Sequence, residues 1–174
     1  MTRLVAIDPG YAKRGQGCAC ALFAERRLSR VWFVRPDRAV APVEADLVVY
    51  ELPEARARDR VDPNVLVRLA AAGALVAGRY AGPLAPVHAR TPLTWKGSTP
   101  KPVQHGRLWS VLGDDERGRL GGPATGDAIA AAKRRGARTR WAKTGADCYP
   151  ASFATHNLLD AVALGAVELG RLAR

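Results

Sequence analysis

The chain has 174 residues, 48% of them hydrophobic and 25% charged, a composition that suits one soluble globular domain needing no disulfide or metal staple. Its 27 Lys and Arg against 16 Asp and Glu leave a net charge of +11, which favours a polyanionic partner such as DNA, RNA or a membrane surface over an acidic-surface role. No apolar run is long enough to span a membrane, the start "MTRLVAIDPG" is too short in apolar residues for a signal peptide, and Cys18, Cys20 and Cys148 read as reduced thiols of a cytoplasmic protein.

The first third predicts strands. Residues 3–8 read as a buried strand, unbroken apolar from Leu4 to Ile7 and closed by Asp8, Pro9 and Gly10. Residues 16–23 and 28–34 give two further strands joined through "AERR", and so short a link favours antiparallel neighbours. Cys18 and Cys20 alternate along the first of these, so they share a face as small buried residues. A lone C-x-C is a poor zinc motif. After a polar connector, Leu47 to Glu51 forms a fourth strand stopped by Pro53.

A helix follows from Pro63 to about residue 80, with Asp62 as N-cap and Pro63 in the first helical position. It could cover the sheet or a second subunit. "LAPVHAR" is a fifth short strand, and "STPKPVQHGRLWSVL" reads as a Ser/Thr-capped helix from about 100 to 112. Residues 113–151 look like a basic insertion, with "GDDERGRLGGPATGD" as loop, "AIAAAKRRG" as a short helix and "ARTRWAKTG" as an irregular basic stretch. The chain ends in the amphipathic helix "FATHNLLDAVALGAVELGRL".

Two strands thus end in carboxylates, Asp8 and Glu51. If those strands are parallel neighbours, both side chains project from one edge of the sheet. Asp8 could equally be an ordinary Asp-Pro-Gly turn residue, and Glu51 a solvated strand end with Glu54 able to replace it. In the last helix His156, Asn157 and Asp160 share a face. Asp160 lies between Leu158–Leu159 and Ala161–Val162, where an unpaired charge is costly. Converged, these groups make an oxygen-rich pocket suited to Mg²⁺, with Mn²⁺ tolerating an added imidazole. Two such ions, roughly 4 Å apart, can support phosphodiester cleavage.

Four stretches resemble the RuvC-type Holliday junction resolvases of the ribonuclease H-like superfamily: "VAIDPG", "VVYELP", "HNLLDAVALG", and the run from Leu66 to Leu112. The likeness covers residues 3–112 and 153–168 and marks the chain as a divergent member. It implies an α/β fold, a mixed five-stranded sheet (three antiparallel strands, then parallel strands) flanked by helices. It also implies a homodimeric Mg²⁺-dependent endonuclease cutting four-way DNA junctions with two ions per site, Mn²⁺ being able to substitute.

By matching positions Asp8, Glu51 and Asp160 are the expected metal ligands. The family places Asp or His three residues before the last carboxylate. Here that position is Asn157, and His156 precedes it, so either could complete the set. His156 is favoured because an imidazole can also act as a base. Lys96 and Lys101 match the family's connector lysines, Lys101 near the scissile phosphate, with backbone-phosphate contact or plain solubility as the simpler role for each.

The loop after Glu51 lacks the family's frequent aromatic and offers Arg56, Arg58 and Arg60 instead, which can stack and bind phosphates. In the insertion Lys133, Arg134, Arg135, Arg138, Arg140 and Lys143 surround Trp141, a pattern suited to a DNA-contacting arm or to a solvated charge run around a tucked Trp. Competing functions are another ribonuclease H-like nuclease, acting on branched DNA or RNA–DNA hybrid, and a basic nucleic-acid-binding protein without catalysis.

Overall fold

The computed structural model describes residues 2–10, 17–37, 43–55, 61–120 and 153–173, with side chains throughout except at positions 102 and 153–156. Its elements are β1 (Arg3–Asp8), β2 (Cys18–Ala24), β3 (Arg27–Val34), β4 (Leu47–Glu51), α1 (Pro63–Tyr80), β5 (Val87–Arg90), α2 (Pro92–Lys96), α3 (Lys101–Val111), α4 (Asp114–Arg119) and α5 (Phe153–Glu168).

The five strands form one sheet in the order β3-β2-β1-β4-β5. β1 pairs antiparallel with β2, and β2 with β3. β4 then pairs parallel with β1, and β5 parallel with β4. This is the mixed, helix-flanked five-stranded sheet, three antiparallel strands followed by parallel ones, expected from the sequence. Among the described residues no helix is long and apolar enough to cross a membrane.

Alternation along the central strands divides the core. Val5, Ile7, Cys18, Cys20 and Val48 point to one face and pack with Ala72, Val76, Ala77 and Tyr80 of α1. Helix α1 therefore covers the sheet, and both cysteines are buried on that face, as their spacing predicts. Asp62 accepts a hydrogen bond from the Asn64 amide at 2.9 Å, the expected cap, and Pro63 opens the helix. Leu4, Ala6, Ala19, Ala21, Phe23 and Val49 point to the other face, under α5 and the inner side of α3.

Close contact of α5 with the sheet depends on Gly165. A Cβ there would stand 2.3 Å from Cε2 of Phe23 and 3.0 Å from Cβ of Ala6, so only glycine lets the helix settle onto β1 and β2.

Three local expectations differ from the structure. Residues 114–119, read as loop, are helix α4. Asp114, Asp115 and Glu116 fill its first turn, and Arg117 and Arg119 its last, an order that favours the helix dipole. Glu116 then ties α4 down, accepting hydrogen bonds from the Gly113 amide at 2.9 Å and the Leu28 amide at 2.6 Å. The glycines around this stretch masked it in the sequence.

Helix α3 has no Ser/Thr side-chain cap, because its N-cap position falls on Pro100, whose side chain has no acceptor, rather than on Ser98 or Thr99. Finally, α2 was not expected between the fifth strand and α3. Five residues carry too little periodicity to announce a helix.

Candidate active site

The parallel register of β1 and β4 builds the first half of the site. Ile7 is paired with Tyr50, so the next row sets Asp8 beside Glu51. Both share the alternation phase of Ala6 and Val49, so both face the α5 side of the sheet. The close approach of Gly10 to the residue before β2 has its own requirement. A Cβ on Gly10 would meet the Gly17 carbonyl oxygen at 2.2 Å, so glycine alone allows this crossing.

Helix α5 supplies the second half. Asp160 is 5% exposed within an otherwise apolar face of Leu159, Ala161, Val162 and Ala163. Its partners come from α3, where Lys101 and His105 are one helical turn apart. His105, fully buried, places Nε2 2.6 Å from Oδ1 of Asp160, and the Lys101 ammonium is ion-paired with Oδ2. Glu51 is served in parallel by α2. Trp95 Nε1–H donates to its Oε2 at 2.9 Å, and Lys96 Nζ lies 3.4 Å from the same oxygen.

The electrostatics tie the three carboxylates into one cluster. Burial, then the charges of Asp160 and Glu51, push the Asp8 carboxyl well above its ordinary value, and Lys101 and Lys96 only partly offset this. Burial also raises Glu51, against the opposing pull of Lys96 and the Trp95 hydrogen bond. For Asp160 burial is again the largest influence, but the hydrogen bond and charge of His105, with Lys101, outweigh it and hold the carboxyl below its ordinary value. Desolvation disfavours the Lys101 ammonium, yet its attraction to Asp160, Asp8 and Glu51 raises its pKa. Like charges so arranged repel unless cations offset them.

The donor chemistry suits a hard divalent cation, since the set is carboxylate oxygen throughout. The carboxylates of Glu51 and Asp160 are here turned to nitrogen partners. Among the described residues no group of three or more His, Cys, Asp and Glu side chains is arranged to hold a metal ion. Asp8 receives no hydrogen bond from the described residues, in contrast to the other two.

Of the residues singled out from sequence, the structure brings together Asp8, Glu51, Asp160, Lys96 and Lys101. Glu54, the alternative to Glu51, is exposed and lines a neighbouring depression of about 290 Å³ with Ala55, Leu93, Gly97 and Ser98. Asn157 is half-buried one turn before Asp160. His156 belongs to the same turn of α5, but its side chain lies outside the described residues. Arg56, Arg58, Arg60, Lys133, Arg134, Arg135, Arg138, Arg140, Trp141 and Lys143, and the expected helix "AIAAAKRRG", lie outside them as well.

Two site residues went unnoticed in the sequence, Trp95 and His105. The signal for His105 was its spacing of four from Lys101, which puts both on one face of α3. Trp95 gave none, because α2 was not anticipated.

No protein-family model matches the chain, and no curated protein matches it. Two solved structures are similar to it. One is Thermus thermophilus RuvC, at 16% identity and a TM-score of 0.40, covering 98% of each chain. The other is T. thermophilus RuvC in complex with a Holliday junction substrate, at 15% identity and a TM-score of 0.39, covering 99% of this chain and 98% of that one.

Proposed function

We propose that the chain is a divalent-metal-dependent endonuclease that acts on branched DNA and resolves four-way junctions by paired phosphodiester cleavage. The observation that carries this reading is the convergence of Asp8, Glu51 and Asp160, from β1, β4 and α5, into one mutually repelling cluster with two lysines beside it. A structural role alone gives no reason to collect three carboxylates at such cost. The net charge of +11 supports a nucleic-acid substrate, and the resemblance of "VAIDPG", "VVYELP" and "HNLLDAVALG" to the resolvases supports the junction.

In this reading Asp8, Glu51 and Asp160 hold Mg²⁺, or Mn²⁺ in its place, and His156 or Asn157 completes the set. Bound there, the ions supply an activated water and a counter-charge for the leaving oxygen. The protein's share is positional. The sheet edge fixes Asp8 and Glu51 in one row, and the buried face of α5 fixes Asp160 across from them. Lys101 and Lys96 sit where an ammonium can offset charge gathering on the phosphate oxygens. Paired cuts on opposed strands call for two such sites, hence a homodimer, in a cytoplasmic setting that keeps the thiols reduced.

The test is incubation of the full chain with a synthetic four-way junction, a linear duplex and an RNA–DNA hybrid, with and without Mg²⁺. Symmetric, Mg²⁺-dependent nicks confined to the junction are expected, with loss of cleavage but retained binding in Asp160→Asn. Cleavage of the hybrid instead would assign a different nuclease of the same architecture. Tight binding with no cut in any substrate would leave a non-catalytic DNA-binding protein.

A further inference from the structure

His105 has no packing reason to be a histidine. It is fully buried on α3, among positions filled by Leu108, Trp109 and Leu112. An apolar residue would satisfy that environment, whereas an imidazole taken out of water costs free energy unless it is hydrogen-bonded. The ring makes its bond to Oδ1 of Asp160 at 2.6 Å. Read as a hydrogen bond to a carboxylate oxygen, which accepts, the contact puts the hydrogen on Nε2.

The other oxygen, Oδ2, is engaged by Lys101, whose side chain is 44% exposed. The two partners therefore differ in kind. One is a rigid ring locked in the core, and the other a flexible amine at the surface, free to leave. At Glu51 both partners meet one oxygen: Trp95, 2% exposed, donates to Oε2 at 2.9 Å, and Lys96 lies 3.4 Å from the same atom.

We propose that His105 is a positioning residue that pins one oxygen of Asp160 so that the other is presented to a divalent cation when Lys101 moves away, and that Trp95, by holding Oε2 of Glu51, orients the remaining oxygen of that carboxylate in the same way. The proposal rests on the metal-dependent reading above and names the outer groups on which that site depends. Fixing a carboxylate by a buried N–H removes rotamers that the ion would otherwise have to freeze, so the effect falls on metal affinity itself.

The experiment measures Mn²⁺ binding to the full chain without DNA, by the loss of the free-ion paramagnetic resonance signal, alongside thermal unfolding. The proteins are wild type, Asp160→Asn, His105→Leu, His105→Gln and Trp95→Phe. His105→Leu keeps apolar bulk and loses the N–H. His105→Gln keeps a donor close to the Nε2 position.

His105→Leu and Trp95→Phe are expected to weaken Mn²⁺ binding about 10–100-fold, and His105→Gln to recover to within a few-fold of wild type. Should His105→Leu not fold, Trp95→Phe carries the same test at Glu51. Wild-type affinity in a folded His105→Leu, or equal weakening in His105→Leu and His105→Gln, overturns the positioning role while leaving the metal site intact. If wild type binds no Mn²⁺, or binds it no better than Asp160→Asn, the metal-dependent reading itself fails, and the proposal with it.

Discussion

The ammonium of Lys101 is ion-paired with Oδ2 of Asp160, and Lys96 stands 3.4 Å from Oε2 of Glu51, so amines from two different helices already neutralise the two partnered carboxylates. In the proposed reaction a cation entering the site would compete with these amines, and an amine so released would lie beside the incoming phosphate. Lys101→Met is therefore expected to lower cleavage by about 10²–10³-fold, the usual cost of removing one donor to a developing oxyanion. Mn²⁺ affinity in the same variant should be unchanged or tighter, because a competitor is gone. Single-turnover cleavage and metal titration check the two halves separately. Junction binding lost in proportion to cleavage would place Lys101 on the DNA backbone instead.

Gly165 sets the height of α5 above the sheet, with Phe23 only 2.3 Å from where a Cβ would be. Alanine is the better helix former by about 1 kcal/mol, but the buried Phe23 ring must move to admit it. Gly165→Ala is expected to be net destabilising by about 1–3 kcal/mol in urea denaturation. Asp160 lies on the same helix, so cleavage should fall further than the lost stability explains. An unchanged unfolding midpoint would show that the sheet yields more easily than its packing suggests.

What the sequence revealed and what it hid follow from how far each signal reaches along the chain. Asp8 and Glu51 stood out because each ends a short apolar run, and the sheet places them side by side at the ends of neighbouring parallel strands. Asp160 stood out because a charge within an apolar helix is expensive. These are local signals, and α1, with its cap at Asp62, was equally local. The partners of the carboxylates were not. Trp95 reaches Glu51 across 44 positions and His105 reaches Asp160 across 55, through a helix too short to predict and a face of α3 that only the tertiary fold defines. Helix α4 was hidden for a similar reason, since the contacts of Glu116 with Leu28 and Arg171 come from distant parts of the chain.

Glu116 gives a prediction about the frame rather than the site. Its buried carboxylate receives the Arg171 guanidinium at 2.6 Å as well as two backbone amides. Burial opposes ionisation, but these bonds win and bring the pKa from 4.5 to about 2. The folded pKa lies below the unfolded one, so the stabilisation is fully present above about 4.5 and is lost as pH falls towards 2. The shift corresponds to about 3 kcal/mol. Glu116→Gln should be less stable than wild type by about that amount at neutral pH, and the two should converge in acid. Denaturant unfolding across that pH range measures the difference, and a gap that stays constant with pH would assign the effect to shape rather than charge.

Asp8 carries the opposite sign. Burial and the neighbouring carboxylates raise its folded pKa above the ordinary 3.8, so the folded chain keeps a proton that the unfolded chain releases. As pH rises from 3.8 through the folded pKa, this group subtracts stability. Asp8→Asn removes the repulsion and should make the metal-free protein more stable at neutral pH, by about 0.5–2 kcal/mol, the common gain where a functional site is relieved of strain. The advantage should shrink as pH falls towards the ordinary carboxyl value of 3.8, as the folded chain takes up the proton. Excess Mg²⁺ should raise the melting temperature of wild type and leave that of Asp8→Asn nearly unchanged, since an ion that binds only the folded state stabilises it by mass action. Cleavage should be abolished in the variant while junction binding is kept or improved, because one negative charge no longer faces the phosphates. Melting curves with and without Mg²⁺, run beside junction binding and cleavage, decide the matter. An Asp8→Asn protein less stable than wild type at neutral pH, or one that still cuts, would mean that Asp8 is a turn residue and not part of a cation site.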